Sequence, residues 1–213
     1  MNVKLFELNL FRINCYLYFD EVSGEGILID PAVSEIEEEE RIGGFIRSQN
    51  IKVKYIINTH GHLDHVMGNK WAKEKFSAPI LMHEDDNNML AKVVEQGLMF
   101  GIHTETQPPV DKFIGEGDII SINNCSLKVI HTPGHTKGGI CLVDEKNKIV
   151  FSGDTLFRDS IGRTDLPGGD MKTLLNSISG KLYNLPDDYT VYPGHLGSTT
   201  IGEEKSGNPF VKG

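Results

Sequence analysis

Cysteine is scarce in this chain. Cys15, Cys125 and Cys141 are the only three, they are scattered through strand-like runs, and no two form a Cys-x-x-Cys pair. That excludes a disulfide framework and gives no sign of thiolate zinc or dithiol redox chemistry; buried, reduced thiols are expected. Long apolar runs are missing too, since nothing approaches the ~20 residues that cross a bilayer. The opening stretch, MNVKLFELNLFRINCYLYFD, lacks the cationic start, apolar centre and small-residue cleavage site of a secretory signal, so the expected compartment is the cytoplasm, without a membrane partner. Positive charge is also thin: 21 Lys and Arg stand against 30 Asp and Glu, for a net charge of −9, and the cations are dispersed. A nucleic-acid groove needs a basic stripe, so DNA and RNA are not expected as partners. The densest charge block, Glu35–Glu40, reads as the acidic first turn and solvated face of a helix.

What is present suits one folded domain. The chain has 213 residues, 38% hydrophobic and 24% charged, enough for a substantial core. Strand-like runs cover residues 3–10, 14–20, 26–31, 52–59 and 78–83, and later 118–122, 125–132, 139–145, 148–154 and 188–195. Helices are expected after Ser34, a candidate N-cap, and over 67–76, 84–101 and 170–185, with a loop over 102–118. This mixed order fits two packed sheets with helices outside better than a doubly wound parallel sheet.

The chemistry is concentrated at residues 56–69, IINTHGHLDHVMGN, where His60, His62, Asp64 and His65 crowd into six positions directly after an apolar strand. Three further polar groups also follow strand-like runs: His135 in LKVIHTPGH, Asp154 in IVFSGD and His195 in YTVYPGH. Loops at the ends of rigid strands are where sites are built, and the accompanying Gly and Pro residues let the backbone turn tightly enough for distant side chains to meet. Neutral imidazole and carboxylate are ligands for zinc, iron or manganese, and a cation offsets the cost of gathering such groups. If residues 60–62 form a loop, His60 and His62 can grip one ion, while Asp64 and His65 point elsewhere toward a second. A lone carboxylate such as Asp154 suits the bridge between two ions, which lie about 3.5–4 Å apart in two-metal sites. His83 and His103 have no ligand neighbours in sequence, and His131 sits on an alternating strand; all three are left out of the site.

These residues resemble the metallo-β-lactamase-fold hydrolases, whose motif T-H-x-H-x-D-H stands here as THGHLDH, followed by matches at HTPGHT (His135), FSGDTLF (Asp154) and YPGH (His195). The resemblance implies an α/β (α+β) fold, an αββα four-layer sandwich with metals at one edge of the sheets. Within that superfamily the likeness is to the glyoxalase II type, the hydroxyacylglutathione hydrolases, through SGDTLFRDSIGRTDLPGGD and YPGHLGSTTIGEEKSGNPF. It implies that His60, His62 and His135 hold one divalent ion, that Asp64, His65 and His195 hold another, and that Asp154 bridges. Zinc is the leading ion, with iron or manganese open. Asp30, at the end of GILIDP, resembles a family acid beside the ligands, or is a plain strand-ending Asp. Only residues 196–213 follow His195, so residues 1–213 are expected to be a single domain without the C-terminal helical region of full-length glyoxalase II.

The activity implied is hydrolysis of a thioester such as S-D-lactoylglutathione by a bridging hydroxide oriented by Asp64 and Asp154. A thiolate leaves without a strong general acid, and the sequence offers none. Arg163 and Lys137 are the candidates for holding substrate, although Arg163 has the alternative of a surface ion pair with Asp159 or Asp165. The rival readings are a mononuclear-iron persulfide dioxygenase using His60, His135 and Asp154, a lactonase or β-lactamase, and a non-catalytic scaffold. The expected partner is a small molecule; the sequence leaves the oligomeric state open.

Overall fold

The computed structural model describes residues 1–123 and 125–213. Its first half opens with the antiparallel strands β1 (Asn2–Leu8), β2 (Ile13–Asp20) and β3 (Glu25–Ile29). Helix α1 (Ile36–Ser48) leads to β4 (Lys52–Ile57), which lies parallel to β3. After α2 (Leu63–Val66) and α3 (Asn69–Phe76) come β5 (Ile80–Met82), a 3-10 turn at Glu84–Asp86, α4 (Asn87–Ala91), α5 (Val93–Met99) and β6 (Lys112–Phe113). These strands form a six-stranded sheet in the order β1-β2-β3-β4-β5-β6. The second half supplies β7 (Ile119–Ile122), β8 (Cys125–His131), β9 (Ile140–Asp144) and β10 (Ile149–Gly153), then a small pair, β11 (Leu156–Phe157) and β12 (Ser160–Ile161). Helix α6 (Met171–Gly180), β13 (Thr190–Pro193), β14 (Thr199–Thr200) and α7 (Ile201–Gly207) complete the chain. The second six-stranded sheet runs β14-β13-β10-β9-β8-β7.

Side-chain alternation explains why the sheets stack. Along β2, Cys15, Leu17 and Phe19 join Ile42 and Ile46 of α1 and Ala72 of α3, while Tyr16 and Tyr18 join Ile120, Leu127 and Phe151 of the opposite sheet. Because both faces are covered, β2 is buried along nearly its whole length rather than alternating between core and water. On the far side, Val150 and Val191 pack against Leu174 and Ile178 of α6 and Ile201 of α7. The layers are therefore helix, sheet, sheet, helix, as expected. Burying tyrosines between sheets requires partners for their hydroxyls. Tyr16 donates to the Pro193 carbonyl at 2.8 Å, and Tyr18 donates to Asp144. All three cysteines are buried and free.

Local boundaries depart from expectation in several places. Ser34 does not cap α1: Glu35 stands at the N-cap position without a side-chain cap bond, and the Ser34 amide and hydroxyl both bond to the Glu38 carboxylate at 2.8 and 3.3 Å. The segment expected as one helix over 84–101 is a 3-10 turn and two short helices, and the expected loop over 102–118 contains β6. Asp64 and His65 ride on α2, a single turn that precedes the expected helix; α3 itself begins only at Asn69. Helix α7, fixed by a capping box between Thr200 and Glu203, was not expected at all.

Strand direction sets up the site. β3 and β4 are parallel, so Asp30 and the segment Asn58–His65 leave the first sheet at one edge. β10 and β13 are parallel, and β8 runs antiparallel to β9, itself antiparallel to β10, so β8, β10 and β13 end on one side as well. Asn14 of β2 joins the two edges: its side-chain amide donates to the carbonyls of Pro193 and Leu196, at 2.9 and 2.8 Å.

Candidate metal centre

All seven residues marked out in the sequence converge. The facing nitrogens are His60 Nε2, His62 Nδ1 and His135 Nε2, with separations of 2.8 Å between His62 and His135 and 3.2 Å between His135 and His60. Metal–nitrogen bonds of about 2.0–2.1 Å set tetrahedral ligand atoms roughly 3.3 Å apart, so this triangle is close to the size of one ion's face. Beside it, Asp64 Oδ2 lies 3.3 Å from His195 Nε2 and 3.9 Å from His65 Nε2, a second cluster. Asp154 stands between them. Its Oδ1 is 3.4 Å from His65 Nε2, and its Oδ2 is 3.5 Å from His135 Nε2 and 3.6 Å from His195 Nε2. The sets His60–His62–His135, His60–His65–Asp154 and Asp64–His65–His195 each bring their ligand atoms within 4.8 Å of one another.

The outer nitrogens are tied down. His135 Nδ1 faces the Arg163 carbonyl at 2.7 Å, and His195 Nδ1 faces the Phe11 carbonyl at 3.1 Å. A carbonyl only accepts, so in both rings Nδ1 carries a proton, and Nε2 is the nitrogen turned inward to the cluster. Asp30, buried and with φ of 49°, takes the same role for the first sheet. It accepts from the Thr59 amide at 2.8 Å, the Thr59 hydroxyl at 2.7 Å and His65 Nδ1 at 3.0 Å, while His60 Nδ1 lies 3.2 Å from the Thr59 hydroxyl. Such partners fix tautomer and orientation in metal sites.

Among the described residues, two buried side-chain polar atoms have no hydrogen-bond partner, His65 Nε2 and Asp154 Oδ1, and they face each other. Orphaned polar atoms in a core call for an explanation, and a cation between them supplies one. The protonation tendencies agree. Burial, reinforced by the surrounding histidines, holds His60 well below the ordinary imidazole range and pushes His62 down to about 3. Burial opposes charge on His65 and His195 too, but the carboxylates outweigh it and raise both: chiefly Asp154 and Asp30 for His65, and Asp64 and Asp154 for His195. Asp154 is held far below the usual carboxylate range; burial pushes it up, but His65 and the other histidines overcome that. His60 and His62 are thus held neutral, as imidazole ligands need to be, and Asp64 and Asp154 ionised. His65 and His195 are drawn toward the charged form by carboxylates whose pull a cation in the cluster would take over.

A cavity of about 430 Å³ opens over the cluster, with Phe11, Leu63, Phe100, Phe157, Leu166 and Leu196 among its walls. Gln96 of α5 ties its wall to the ligand loop, accepting from the Leu63 amide at 3.0 Å and donating to the Gly61 carbonyl at 3.2 Å. Arg163 lines the cavity with its guanidinium paired to both oxygens of Asp165 at 2.7 Å. Lys137 is exposed and does not line it.

His83 is less isolated than its sequence context suggests. Its ring stacks on His131, with centroids 4.1 Å apart and planes 12° apart, and Asp85 lies beside the pair. Imidazole nitrogens bind cations in the ring plane, and two nearly parallel planes do not aim at one point. The pair is a stack rather than an ion cradle. Burial, then the His131 neighbour, lowers the pKa of His83. A histidine depressed in the folded state favours folding above its unfolded value near 6.5, and that contribution is withdrawn as pH falls below it. Acidification from pH 8 to pH 5.5 is therefore expected to lower Tm more in the wild type than in His83→Asn, which keeps the side-chain acceptor for the Asp85 amide. Superimposable pH profiles would refute this.

Sequence reasoning passed over Asn14, Thr59, Gln96 and Asp86, all of which hold ligand-bearing loops. Thr59 opens the motif itself and was open to notice; the others act across long sequence separations and leave no local pattern.

The comparisons with known proteins follow this geometry. The metallo-beta-lactamase superfamily matches residues 8–195. Hydroxyacylglutathione hydrolase GloC of Haemophilus influenzae is 37% identical over 218 residues, covering 99% of this chain and 98% of that protein. Among solved structures, the BLEG-1 B3 metallo-beta-lactamase superposes with a TM-score of 0.90 at 32% identity, each chain covered completely. TTHA1623 in a di-iron-bound form gives 0.86 at 32% identity, covering 98% of this chain and 100% of that one. ETHE1 from Myxococcus xanthus gives 0.77 at 26% identity, covering 98% and 84%. With the layered sheets, the two histidine–carboxylate clusters at their shared edge and a match over residues 8–195, the chain belongs to the metallo-beta-lactamase superfamily.

Proposed function

We propose that this protein is a metal-dependent thioester hydrolase, with S-D-lactoylglutathione as the candidate substrate. In this reading residues 1–213 act as a single cytoplasmic domain. His60, His62 and His135 would hold one divalent ion, Asp64, His65 and His195 a second, and Asp154 would serve both. The observation that carries the reading is the placement of Asp154, whose two oxygens face histidines of both clusters at 3.4–3.6 Å. Two divalent ions in such a site supply Lewis acidity and a water acidified from a pKa of about 15.7 to near 7.

The chain's own contribution is placement. Asp64 and Asp154, the proposed catalytic carboxylates, would accept hydrogen bonds from the attacking water and so fix its orientation. The aromatic and leucine walls keep bulk water from the acyl carbon, and Arg163 offers a bidentate partner to a substrate carboxylate by exchanging Asp165 for it. Lys137 would act only on a group reaching beyond the cavity. Apart from the cluster itself, Arg163 is the one ionisable side chain among the described lining residues. A leaving group must then depart unassisted, which a thiolate with a pKa of roughly 8–9 does and an amine does not. The identity to GloC supports the same substrate class.

Elemental analysis of the purified protein combined with S-D-lactoylglutathione turnover is the test. Metal-replete protein is expected to cleave the thioester, and His60→Ala to reduce kcat/KM by about 10³-fold or more, the scale on which dismantling a catalytic constellation acts. Metal-replete protein without thioester cleavage would overturn the proposal. The likeness to ETHE1 favours persulfide dioxygenation as the second reading, with His60, His135 and Asp154 around a single iron. Oxygen uptake with glutathione persulfide, at one iron per chain, is its signature. Turnover of a chromogenic lactam would point instead toward a lactamase.

A further inference from the structure

We infer that Asp86 is a positioning residue that sets the His60–His62–His135 cluster by clamping its two loops together. Asp86 closes the 3-10 turn after β5 and precedes α4, where an aspartate ordinarily caps the helix with its side chain. This one makes no cap bond. Its carboxylate turns away and is fully buried. One oxygen accepts from the Gly61 amide at 2.9 Å and the Thr136 hydroxyl at 2.7 Å; the other accepts from the Gly138 amide at 2.7 Å.

The donors decide the meaning. Gly61 lies between His60 and His62, and Thr136 follows His135 directly, so a single carboxylate fixes the spacing between ligands that come from different sheets. At Gly138 a Cβ would fall 2.8 Å from the Asp86 Cγ and 2.9 Å from its Oδ1, so the loop approaches the carboxylate as closely as a backbone without a side chain permits. None of the three bonds is made to Asp64, His65, Asp154 or His195, or to a residue next to one of them in the chain. The clamp acts on the three-histidine cluster and leaves the other to Asp30 and the Phe11 carbonyl.

The inference rests on the two-ion reading above, but its test reads metal retention rather than thioester turnover, so either can fail without the other. Zinc-loaded wild type, Asp86→Asn and His62→Ala are equilibrated against a graded chelator series and their ions counted by elemental analysis, with apoprotein melts recorded in parallel. Asp86→Asn keeps the volume but turns an amide donor toward protein donors. It is expected to weaken the three-histidine site by about 10–100-fold, the range for removing an outer partner of a metal ligand. Like His62→Ala, it then passes through a plateau of one ion per chain at chelator concentrations where the wild type keeps two. A purely structural role would lower the apoprotein Tm and leave the order and affinity of ion release as in the wild type, and that result overturns the inference. Simultaneous loss of both ions also overturns it. Should Asp86→Asn not fold, Thr136→Val removes one of the three bonds with little change of shape. A shift of about threefold or more in the same site's affinity supports the clamp, and an unchanged affinity refutes it.

Discussion

Asp154→Ala is expected to be the most damaging single change at the site, lowering kcat/KM by about 10⁴-fold, the upper end for losing a group that acts directly in the reaction. The carboxylate faces His65 with one oxygen and His135 and His195 with the other, so its removal detaches both clusters from their common partner. His65 is fully buried, and Asp154 is the largest of the influences that favour its charged form. Ion content should fall from two per chain to one or fewer, as read by elemental analysis. Asp154→Asn separates charge from shape: it preserves one acceptor oxygen and is expected to retain an ion in the three-histidine cluster while remaining nearly inactive. An alanine variant holding two ions with more than about a tenth of wild-type kcat/KM would exclude a spanning role.

Gly194→Ala is expected to act almost as strongly without removing any ligand. A Cβ at this position would fall 2.2 Å from Asp154 Oδ1 and 2.7 Å from His65 Cε1, both inside any tolerable contact. The backbone has little freedom to retreat, because the Gly194 amide donates to the Gly153 carbonyl at 2.8 Å and the Gly194 carbonyl accepts from the Asn14 amide at 2.7 Å. Relief must come from Asp154 and His65 themselves. Overpacking of this kind costs about 1–3 kcal/mol of stability, so the variant should fold with a lowered Tm, bind fewer ions per chain than the wild type and show activity reduced by at least about 10²-fold. Wild-type ion content together with wild-type turnover would sink the assignment of these two side chains to the site.

Much of the site was legible because its chemistry is carried by residue identity. His60, His62, Asp64 and His65 stand together in sequence, and His135, Asp154 and His195 each follow a recognisable strand, so residue types and strand ends sufficed to nominate all seven. The layered architecture was legible from the order of the elements, strand meanders interrupted by helices, and from the family resemblance, and β2 is buried along nearly its whole length as such layering requires. What escaped was pairing that joins side chain to backbone over long separations. Asn14 bonds to carbonyls at positions 193 and 196, and Asp86 to amides at 61 and 138. Neither residue looks different from an ordinary turn former until the chain is folded. Helix boundaries failed where a side chain took an alternative partner. Glu38 claimed the Ser34 amide and the N-cap position falls one residue later, and the Asp86 carboxylate is engaged outside its own segment where a longer helix had been expected.

The seven side chains do not come from one layer. Four leave the first sheet and three leave the second, and the polar contacts of Asn14, Tyr16 and Asp86 span the seam at that edge. Any ion seated there would be a further rivet through two plates already pinned at their rim. Stripping it would leave the pins to hold the rim alone, so a starved protein should be nicked by proteases sooner along the line where the plates meet.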